Sequence, residues 1–376
     1  MGNVRLTVYA RSDVGRVRTN NEDAFLVSDL DTGASLAPSA VDVDVRDRGL
    51  LAVVSDGMGG HAAGDVASAL VVESLRKSLS DPAADHSSLQ RLIDGAVRRA
   101  NADVHAAARA TERRGMGATL TAVLVHGTDA YVAEVGDSRG YLLRSGRLRQ
   151  ITKDQSFVQV LIDAGVLTPE QAKDSPQKNV ILQAMGREQD VQVSIGRIRL
   201  HAGDRLLLCS DGLSNLVTDV ELAAMLGDDA PATVCERMIA LANERGGHDN
   251  LTAVVALVGG DGLPAPEEAE PSRQTIEILQ EYAGAKLPPR TPPPPSGSPP
   301  EAATSSSGSP PAIANPSSGS PPAAAKTASG SPPPAEPASA PLAAPQAQPV
   351  AGPPWLALAL VAVVALVALL AWRLLS

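Results

Sequence analysis

The feature that most restricts the fold of this chain is a change of composition after residue 260. Most of its 30 prolines lie in the last third of the 376 residues, where Pro, Ala, Ser and Gly leave too few large apolar side chains for a core. The string SGSPP recurs four times with a spacing of eleven residues, and proline in every repeat excludes a helix. We therefore predict a globular domain at 1–260, a short helical segment at 261–287 and a disordered, semi-extended linker at 288–352.

An uncharged apolar stretch follows the linker. Residues 355–372 read WLALALVAVVALVALLAW, and at a rise of about 1.5 Å per residue they span roughly 27 Å, enough for the hydrocarbon core of a bilayer. Tryptophans at both ends suit the two membrane interfaces, and the preceding linker offers no core in which to bury the stretch. We predict a single transmembrane helix at 353–375. The N-terminus, MGNVRLTVYARSD, lacks the pattern of a secretory signal, so we expect the domain on the cytoplasmic side of the cell's inner membrane.

Charge and cysteine content exclude several classes of protein. The formal net charge is −10 and the pI is about 5.1, which argues against nonspecific binding of nucleic acid, because phosphate contacts need clustered Lys and Arg. Cys209 and Cys235 have no paired spacing, so neither a disulfide scaffold nor a zinc site is indicated.

Acidic residues recur where predicted strands begin or end. A single aspartate in such a place is usually a turn residue or a helix cap, but five such places predict carboxylates that meet at one edge of a sheet. Clustered carboxylates repel one another, and a hard divalent cation with oxygen ligands relieves that repulsion. We expect Mg²⁺ or Mn²⁺, with enough acids for two ions. The acids are Asp56 and Asp211 after apolar runs, Asp137 between two runs, Asp249 before a run, and the pair Glu22 and Asp23 before another.

Four glycines follow Asp56 within eight residues, and they raise the alternative of a phosphate-binding loop. A P-loop needs Lys after the glycine, but Gly60 is followed by His61. A dinucleotide fingerprint needs a βαβ pattern and an acid about twenty residues on, which only Glu73 approximates. Both alternatives fail. What remains is backbone that approaches an ion closely, with the carbonyl of Gly57 as a ligand.

Six motifs occur in the order found in one enzyme family. Over residues 5–258 the chain resembles the type-2C, metal-dependent Ser/Thr protein phosphatases (the PPM family), and most of all the bacterial members that oppose Ser/Thr kinases. The resemblance implies an α+β fold, an αββα sandwich of two antiparallel β-sheets flanked by helices, with a two-metal site at one end. The motifs are Arg18…Asn21-Glu22-Asp23, Asp56-Gly57-Met58-Gly59-Gly60-His61, Gly117-Ala118-Thr119-Leu120, Gly136-Asp137-Ser138-Arg139-Gly140, Ser210-Asp211-Gly212 and Asp249-Asn250-Leu251-Thr252.

The resemblance also implies roles for the matched residues. A water or hydroxide between two ions attacks phosphorus, its pKa lowered by the metals, and a guanidinium clamps the phosphate dianion. By this resemblance Arg18 is the clamp, Asp56 bridges the two ions and the Gly57 carbonyl binds one of them. Asp211 and Asp249 bind one ion, and Asp23 or Glu22 helps to hold the other through water. Asp137 with Asp211 holds a third and weaker ion, and Asn250 supports the ligands from behind.

Two features of the resemblance leave questions open. Met58 stands where animal members have the His that is often assigned as general acid; bacterial members share the Met. The nearby His61 is the candidate proton donor, with a structural role as the alternative. Segment 152–185 matches the bacterial flap beside the site, and it reads as a short helix, a Thr-Pro-Glu-Gln helix start and a polar turn. Asp174 in this flap is a candidate ligand of the third ion.

The expected function is therefore a membrane-tethered protein phosphatase that acts on phosphoserine and phosphothreonine and reverses Ser/Thr kinase signalling. A cysteine phosphatase needs an Arg six residues after its Cys, where this chain has Asn215 and Leu241. The other metal-dependent Ser/Thr class needs Gly-Asp-x-His-Gly, and Arg139 takes the place of that histidine. A catalytically weak phosphoprotein-binding or sensing module is the alternative, and it predicts a lost ligand. A small-molecule phosphatase would use the same site.

Overall fold

Two antiparallel β-sheets pack face to face, with helices on both outer sides. The computed structural model describes residues 3–36, 41–59, 63–84, 87–110, 115–264 and 276–284. The strands are β1 (Arg5–Asp13), β2 (Asp23–Asp29), β3 (Val41–Asp44), β4 (Leu50–Met58), β5 (Gly117–Ala118), β6 (Leu120–His126), β7 (Asp129–Val135), β8 (Arg139–Arg144), β9 (Arg147–Gln150), β10 (Ser194–Arg199), β11 (Arg205–Cys209), β12 (Leu251–Gly259) and β13 (Glu277–Gln280). The helices are α1 (Gly64–Ser80), α2 (Leu89–Ala110), α3 (Phe157–Asp163), α4 (Pro169–Lys173), α5 (Asp211–Ser214), α6 (Asp219–Asp228) and α7 (Pro231–Glu244).

The strand order explains how distant segments meet. One sheet has six strands in the order β3-β1-β12-β11-β8-β9, and the other has the order β13-β10-β7-β6-β4-β2, with β5 paired to β4. Every pairing of neighbours is antiparallel. The chain passes from one sheet to the other between β7 and β8, so the turn that joins them lies where the two sheets come together.

Central strands are buried on both faces, which is why their sequences are apolar throughout. On β12, Val254 and Val258 belong to the layer between the sheets, whereas Val255 packs in the layer under α6 and α7. On β4, Val54 lies between the sheets and Val53 packs in the layer under α1 and α2. Alternate residues of one strand therefore build two different layers of core. The predicted αββα sandwich is confirmed.

The flap segment also folds as its sequence indicates. Thr168 caps α4: its side chain accepts a hydrogen bond from the backbone N–H of Gln171, whose side chain in turn bonds the Thr168 backbone. This reciprocal capping box satisfies two donors that a helix start leaves unpaired. Ser156 caps α3 by accepting from the Gln159 N–H.

The predicted helix at 261–287 is wrong where the structure describes that segment. Residues 277–280 form β13, which pairs antiparallel with β10. Without it β10 would be an edge strand with unpaired backbone groups, and that free edge outweighs the local helical pattern. A Cβ on Gly196 of β10 would lie 2.4 Å from Cδ1 of Ile276, so a larger residue there would require that side chain to move. The domain therefore extends beyond the predicted boundary at 260, as a unit that includes β13.

The predicted linker at 288–352 and the predicted transmembrane helix at 353–375 lie outside the described residues. Within the described ranges, no helix is both long and apolar enough to cross a membrane.

Candidate functional site

Five aspartates from both sheets meet at one end of the sandwich. Asp23 on β2 and Asp56 on β4 are directly opposite one another in the strand pairing. Asp211 begins α5 just after β11, Asp249 precedes β12, and Asp137 lies in the turn between β7 and β8. The charges of the other four all act on Asp56. The structure thus brings together carboxylates that lie far apart in the sequence, as predicted.

Burial and mutual repulsion make this cluster electrostatically unfavourable. Burial is the main cause that raises the pKa of Asp56 well above its usual value, and the charges of Asp23 and Asp211 add to it. The pKa of Asp137 is raised in the same way, by burial and then by Asp211 and Asp154. Asp211 lies within hydrogen-bonding reach of Asp56, and burial followed by the charge of Asp249 raises its pKa. These acids are short of positive charge.

Asp23 is held in place with one oxygen left over. Its Oδ2 accepts hydrogen bonds from Ser210 Oγ at 2.8 Å and from Thr252 Oγ1 at 2.6 Å. Its Oδ1 is buried and has no hydrogen-bond partner within the described ranges. Burial raises the pKa of Asp23 to about 7, although the two hydroxyl groups oppose that shift. The site therefore contains a fixed carboxylate oxygen that is available to a ligand.

Gly57 is required by close backbone contacts. A Cβ at this position would lie 2.1 Å from the carbonyl oxygen of Gly64 and 2.5 Å from that of Glu22. The Gly57 N–H donates to the Glu22 carbonyl at 3.1 Å. The start of α1 and the loop before β2 are thereby packed directly against the strand that carries Asp56. The carbonyl of Gly57 as a metal ligand stays a prediction.

Asn250 holds the segment before β2, which carries Arg18 and Glu22, by hydrogen bonds. Its Oδ1 accepts from the Glu22 N–H at 2.8 Å, and its Nδ2 donates to the carbonyls of Val14 and Asn20 at 3.0 and 2.9 Å. Glu22 itself is buried, with Oε2 against Gly64. The buried amide therefore ties β12 to the segment before β2, in keeping with its predicted place behind the ligands.

Arg18 lies at the exposed rim of the cluster. Its Nη2 donates to Oδ2 of Asp249 at 2.8 Å, and both side chains are partly open to solvent. A cation bound to Asp249 would compete with this ion pair and free the guanidinium. The predicted phosphate clamp and a predicted metal ligand are therefore paired with each other.

Two supporting interactions were missed by sequence reasoning. Arg139 donates to both carboxylate oxygens of Asp154, at 2.9 Å through Nε and 2.7 Å through Nη2. Its positive charge opposes the rise in the pKa of the neighbouring Asp137. Gln155 accepts from the Gly136 N–H at 2.8 Å and so fixes the backbone next to Asp137. Arg139 stands inside a recognised motif, but its partner lies fifteen residues away in a loop and gave no signal.

Two candidates are not placed in the cluster. Asp174 is exposed at the C-terminal end of α4. Its role as a ligand of a third ion stays a prediction. His61 lies outside the described residues, as does Gly60, so the proton donor also stays a prediction.

The donor set suits a hard divalent cation. The cluster offers carboxylate oxygens, with a buried Oδ1 on Asp23 that lacks a partner. No three acidic, His or Cys side chains in the described part of the chain are already gathered as ligands of one ion. Mg²⁺ and Mn²⁺ do not need such a cage, because waters complete a shell that one or two carboxylates begin. The residues present therefore fit an oxygen-bound ion.

Comparisons with known proteins agree with this geometry. The family model described as Protein phosphatase 2C matches residues 19–256. The serine/threonine protein phosphatase PstP of Mycobacterium tuberculosis is 43% identical over 254 residues, which are 67% of this chain and 45% of that protein. This chain thus matches less than half the length of that relative. Protein phosphatase PhpP of Streptococcus pneumoniae is 36% identical over 250 residues, 66% of this chain and 94% of that protein.

One of the similar solved structures contains metal ions. The catalytic domain of serine threonine protein phosphatase PstP in complex with two manganese ions is similar to 68% of this chain and 99% of that chain, with 40% identity and a TM-score of 0.57.

Proposed function

Because this chain belongs to the protein phosphatase 2C family, we propose that it hydrolyses phosphoserine and phosphothreonine in proteins with the help of divalent cations. The observation that carries this proposal is the cluster of five aspartates, short of positive charge, with Arg18 at its rim. The two manganese ions in the related PstP structure support it.

The carboxylates at the centre would hold the ions. Asp56 would be the ligand shared by two ions, and its position opposite Asp23 and within hydrogen-bonding reach of Asp211 supports that role. Asp211 and Asp249 complete one side, and the Gly57 carbonyl is the further ligand that the family pattern supplies. Asp137 with Asp211 is the place for a third, weaker ion. Bound there, Mn²⁺ or Mg²⁺ lowers the pKa of a water ligand and offsets the charge of the phosphate.

Arg18 would bind the substrate. Its guanidinium points at the cluster from the rim and presents donors that match two oxygens of a phosphate dianion. Arg18 would be available to the phosphate when Asp249 holds a cation, because the two side chains would then no longer be paired. His61 is the proposed donor of a proton to the departing Ser or Thr oxygen.

The direct test is turnover of a phosphothreonine peptide by the full chain in detergent, with Mn²⁺ and with excess EDTA. We expect turnover with Mn²⁺ and none with EDTA. Turnover that survives EDTA would contradict a metal-dependent reaction. A small phosphomonoester at the same concentration serves as the comparison substrate, and a preference for it over the peptide would favour a small-molecule phosphatase.

We further propose that residues 353–375 anchor the domain to the inner membrane, facing the cytoplasm, where it opposes a Ser/Thr kinase. The support is the uncharged stretch at 355–372 and the proline-rich linker before it. Membrane fractionation of the full chain against a chain that ends at Pro354 tests the anchor. We expect only the full chain in the membrane fraction, and equal partition of the two would refute the anchor.

A further inference from the structure

A cavity of ≈ 590 Å³ lies near the cluster of aspartates, at the side of the sandwich where β13 joins the sheet. Its floor is one face of β7 and β10, because Val132 and Glu134 alternate along β7 and pair with Gly196 and Ser194 on β10. The side chain of Ile276 lies over Gly196 and forms part of the lining. The volume falls in the range of cavities that hold small organic ligands.

Glu134 lines the cavity, and one oxygen of its buried carboxyl has no hydrogen-bond partner in the described part of the chain. The residue is 3% exposed. Its Oε2 accepts from the Lys153 backbone N–H at 3.0 Å, whereas its Oε1 has no hydrogen-bond partner in the described part of the chain. Burial raises the pKa of Glu134 well above its usual value. An unpartnered buried carboxyl is costly, so a ligand that pairs with it gains more than it would at the surface.

The wall beside Glu134 is fixed before any ligand arrives. Gln155 is 2% exposed, and its Oε1 accepts from the Gly136 N–H at 2.8 Å and from Gln183 Nε2 at 2.7 Å. Its Nε2 donates to Ser194 Oγ at 3.1 Å. Because these polar groups already have partners, Glu134 is the group on this wall that is left for a ligand.

The charged residues around the cavity favour a positively charged ligand. Four acidic residues line it against a single basic one, Lys153, which is paired with Asp163 at 2.7 Å. Asp154 is already held by Arg139. No cation of the described residues forms an ion pair with Glu134. The other two acids that line the cavity are Asp163 and, at its exposed rim, Glu281.

The rest of the lining is suited to an apolar body. Ile151, Leu182 and Ile276 line the cavity, and Tyr282 adds an aromatic ring. A ligand that fits both parts carries one compact positive group and an apolar remainder.

We propose that this cavity binds a small organic cation, an ammonium group on an apolar body, with the ammonium at Glu134 and the body against Ile151, Leu182 and Ile276. The ammonium supplies charge-assisted donors to the free Oε1, which a neutral hydroxyl supplies more weakly. An anion of the same size is repelled by the acids of the lining. The site is separate from the aspartate cluster and does not depend on the proposed hydrolysis.

The test is calorimetric titration of the full chain with three probes of one shape: phenethylammonium, phenethyl alcohol and phenylacetate. Excess Mg²⁺ is present throughout, so that the aspartate cluster does not take up the ammonium. We expect one phenethylammonium per chain, with a Kd at least about tenfold lower than that of the alcohol, and no measurable binding of phenylacetate. Equal affinity for the ammonium and the alcohol in the unaltered protein would overturn the proposal without any variant.

Variants then locate the bound cation. Glu134→Gln keeps the shape of the side chain and is expected to raise the Kd for phenethylammonium about tenfold, to that of the alcohol. Glu281→Gln at the rim is the matched control and is expected to change the Kd less than about threefold. Asp249→Asn is expected to leave the Kd unchanged. An unaltered Kd in Glu134→Gln, or an equal loss in Glu281→Gln or Asp249→Asn, would overturn the proposal.

Discussion

Asp204 is buried in the sandwich and Asp56 is half-buried at its end, and the two differ in how their charges are compensated. Asp204 has a fully buried side chain, and Arg144 donates to both of its carboxylate oxygens at 2.8 and 2.7 Å. The backbone N–H of His201 donates to it as well, at 2.8 Å. Asp56 is surrounded instead by four other aspartates. Asp204, whose charge the chain itself neutralises, stabilises the fold. The aspartate cluster has too few positive side chains around it, so it is suited to binding a cation from solution.

The largest expected effect is on kcat, and it comes from the aspartate cluster, whose charges are not compensated. Asp211→Asn removes a proposed ligand, and we expect kcat on a phosphothreonine peptide with Mn²⁺ to fall about 10³-fold, as for the loss of a central electrostatic contact. In EDTA the same variant is expected to be as stable as the parent or more so, because one repelling charge is gone. Steady-state kinetics and urea unfolding measure the two effects. Activity within a few-fold of the parent would show that turnover does not depend on Asp211, and that the cluster does not differ from Asp204 in the way described.

The compensated acid should behave in the reverse way. Asp204→Asn leaves Arg144 buried without its carboxylate, and we expect the free energy of unfolding to fall by about 3 kcal/mol. The kcat of the folded variant is expected to stay within about twofold of the parent, since Asp204 lies outside the cluster. Urea denaturation followed by circular dichroism measures the loss. An unchanged stability would show that the Arg144 pair does not carry the structural role assigned to it.

A smaller effect is expected behind the ligands. Gln155→Ala leaves the Gly136 N–H unpaired next to Asp137, and we expect the affinity for the third, weaker Mn²⁺ to fall about tenfold, as it does when supports of metal ligands are removed. Gln159→Ala is the matched control, because that side chain bonds Asp163 at the surface. Equal Mn²⁺ affinities in the two variants would show that Gln155 does not position the site.

The smallest effect is expected for a compensated acid at the surface. Arg76 donates to both oxygens of Glu73 at 2.9 and 2.8 Å, and these hydrogen bonds lower the pKa of Glu73 to about 2. Its contribution to stability is therefore complete above the unfolded pKa of about 4.3 and is lost as the pH falls towards 2. Solvent screens the pair, since 43% of the Glu73 side chain is exposed.

We accordingly expect Glu73→Gln to cost less than about 1 kcal/mol near neutral pH and nothing at about pH 2. Urea unfolding of the parent and the variant across this range measures the difference. A cost that grows as the pH falls would contradict the assigned pairing.

The sequence was enough to predict the gathering of the acids and the two flap helices, because strand ends, caps and short motifs are local signals. Residues 277–280 form a strand because they pair with the free edge of β10, and that edge exists only once the sheet has formed. The same limit applies to the Arg139–Asp154 pair and to the bond from Gly136 to Gln155, whose partners meet through tertiary structure. Glu134 reads as an ordinary strand residue until the cavity above it is seen.

The aspartate cluster is proposed to hold divalent cations. Calorimetric titration of the full chain with Mn²⁺ tests it most directly, beside the variants Asp56→Asn and Asp204→Asn. We predict two tightly bound ions for the parent and for Asp204→Asn, and loss of both when Asp56, the proposed shared ligand, is replaced. No bound Mn²⁺ in the parent, or two ions still bound after Asp56→Asn, would contradict the claim.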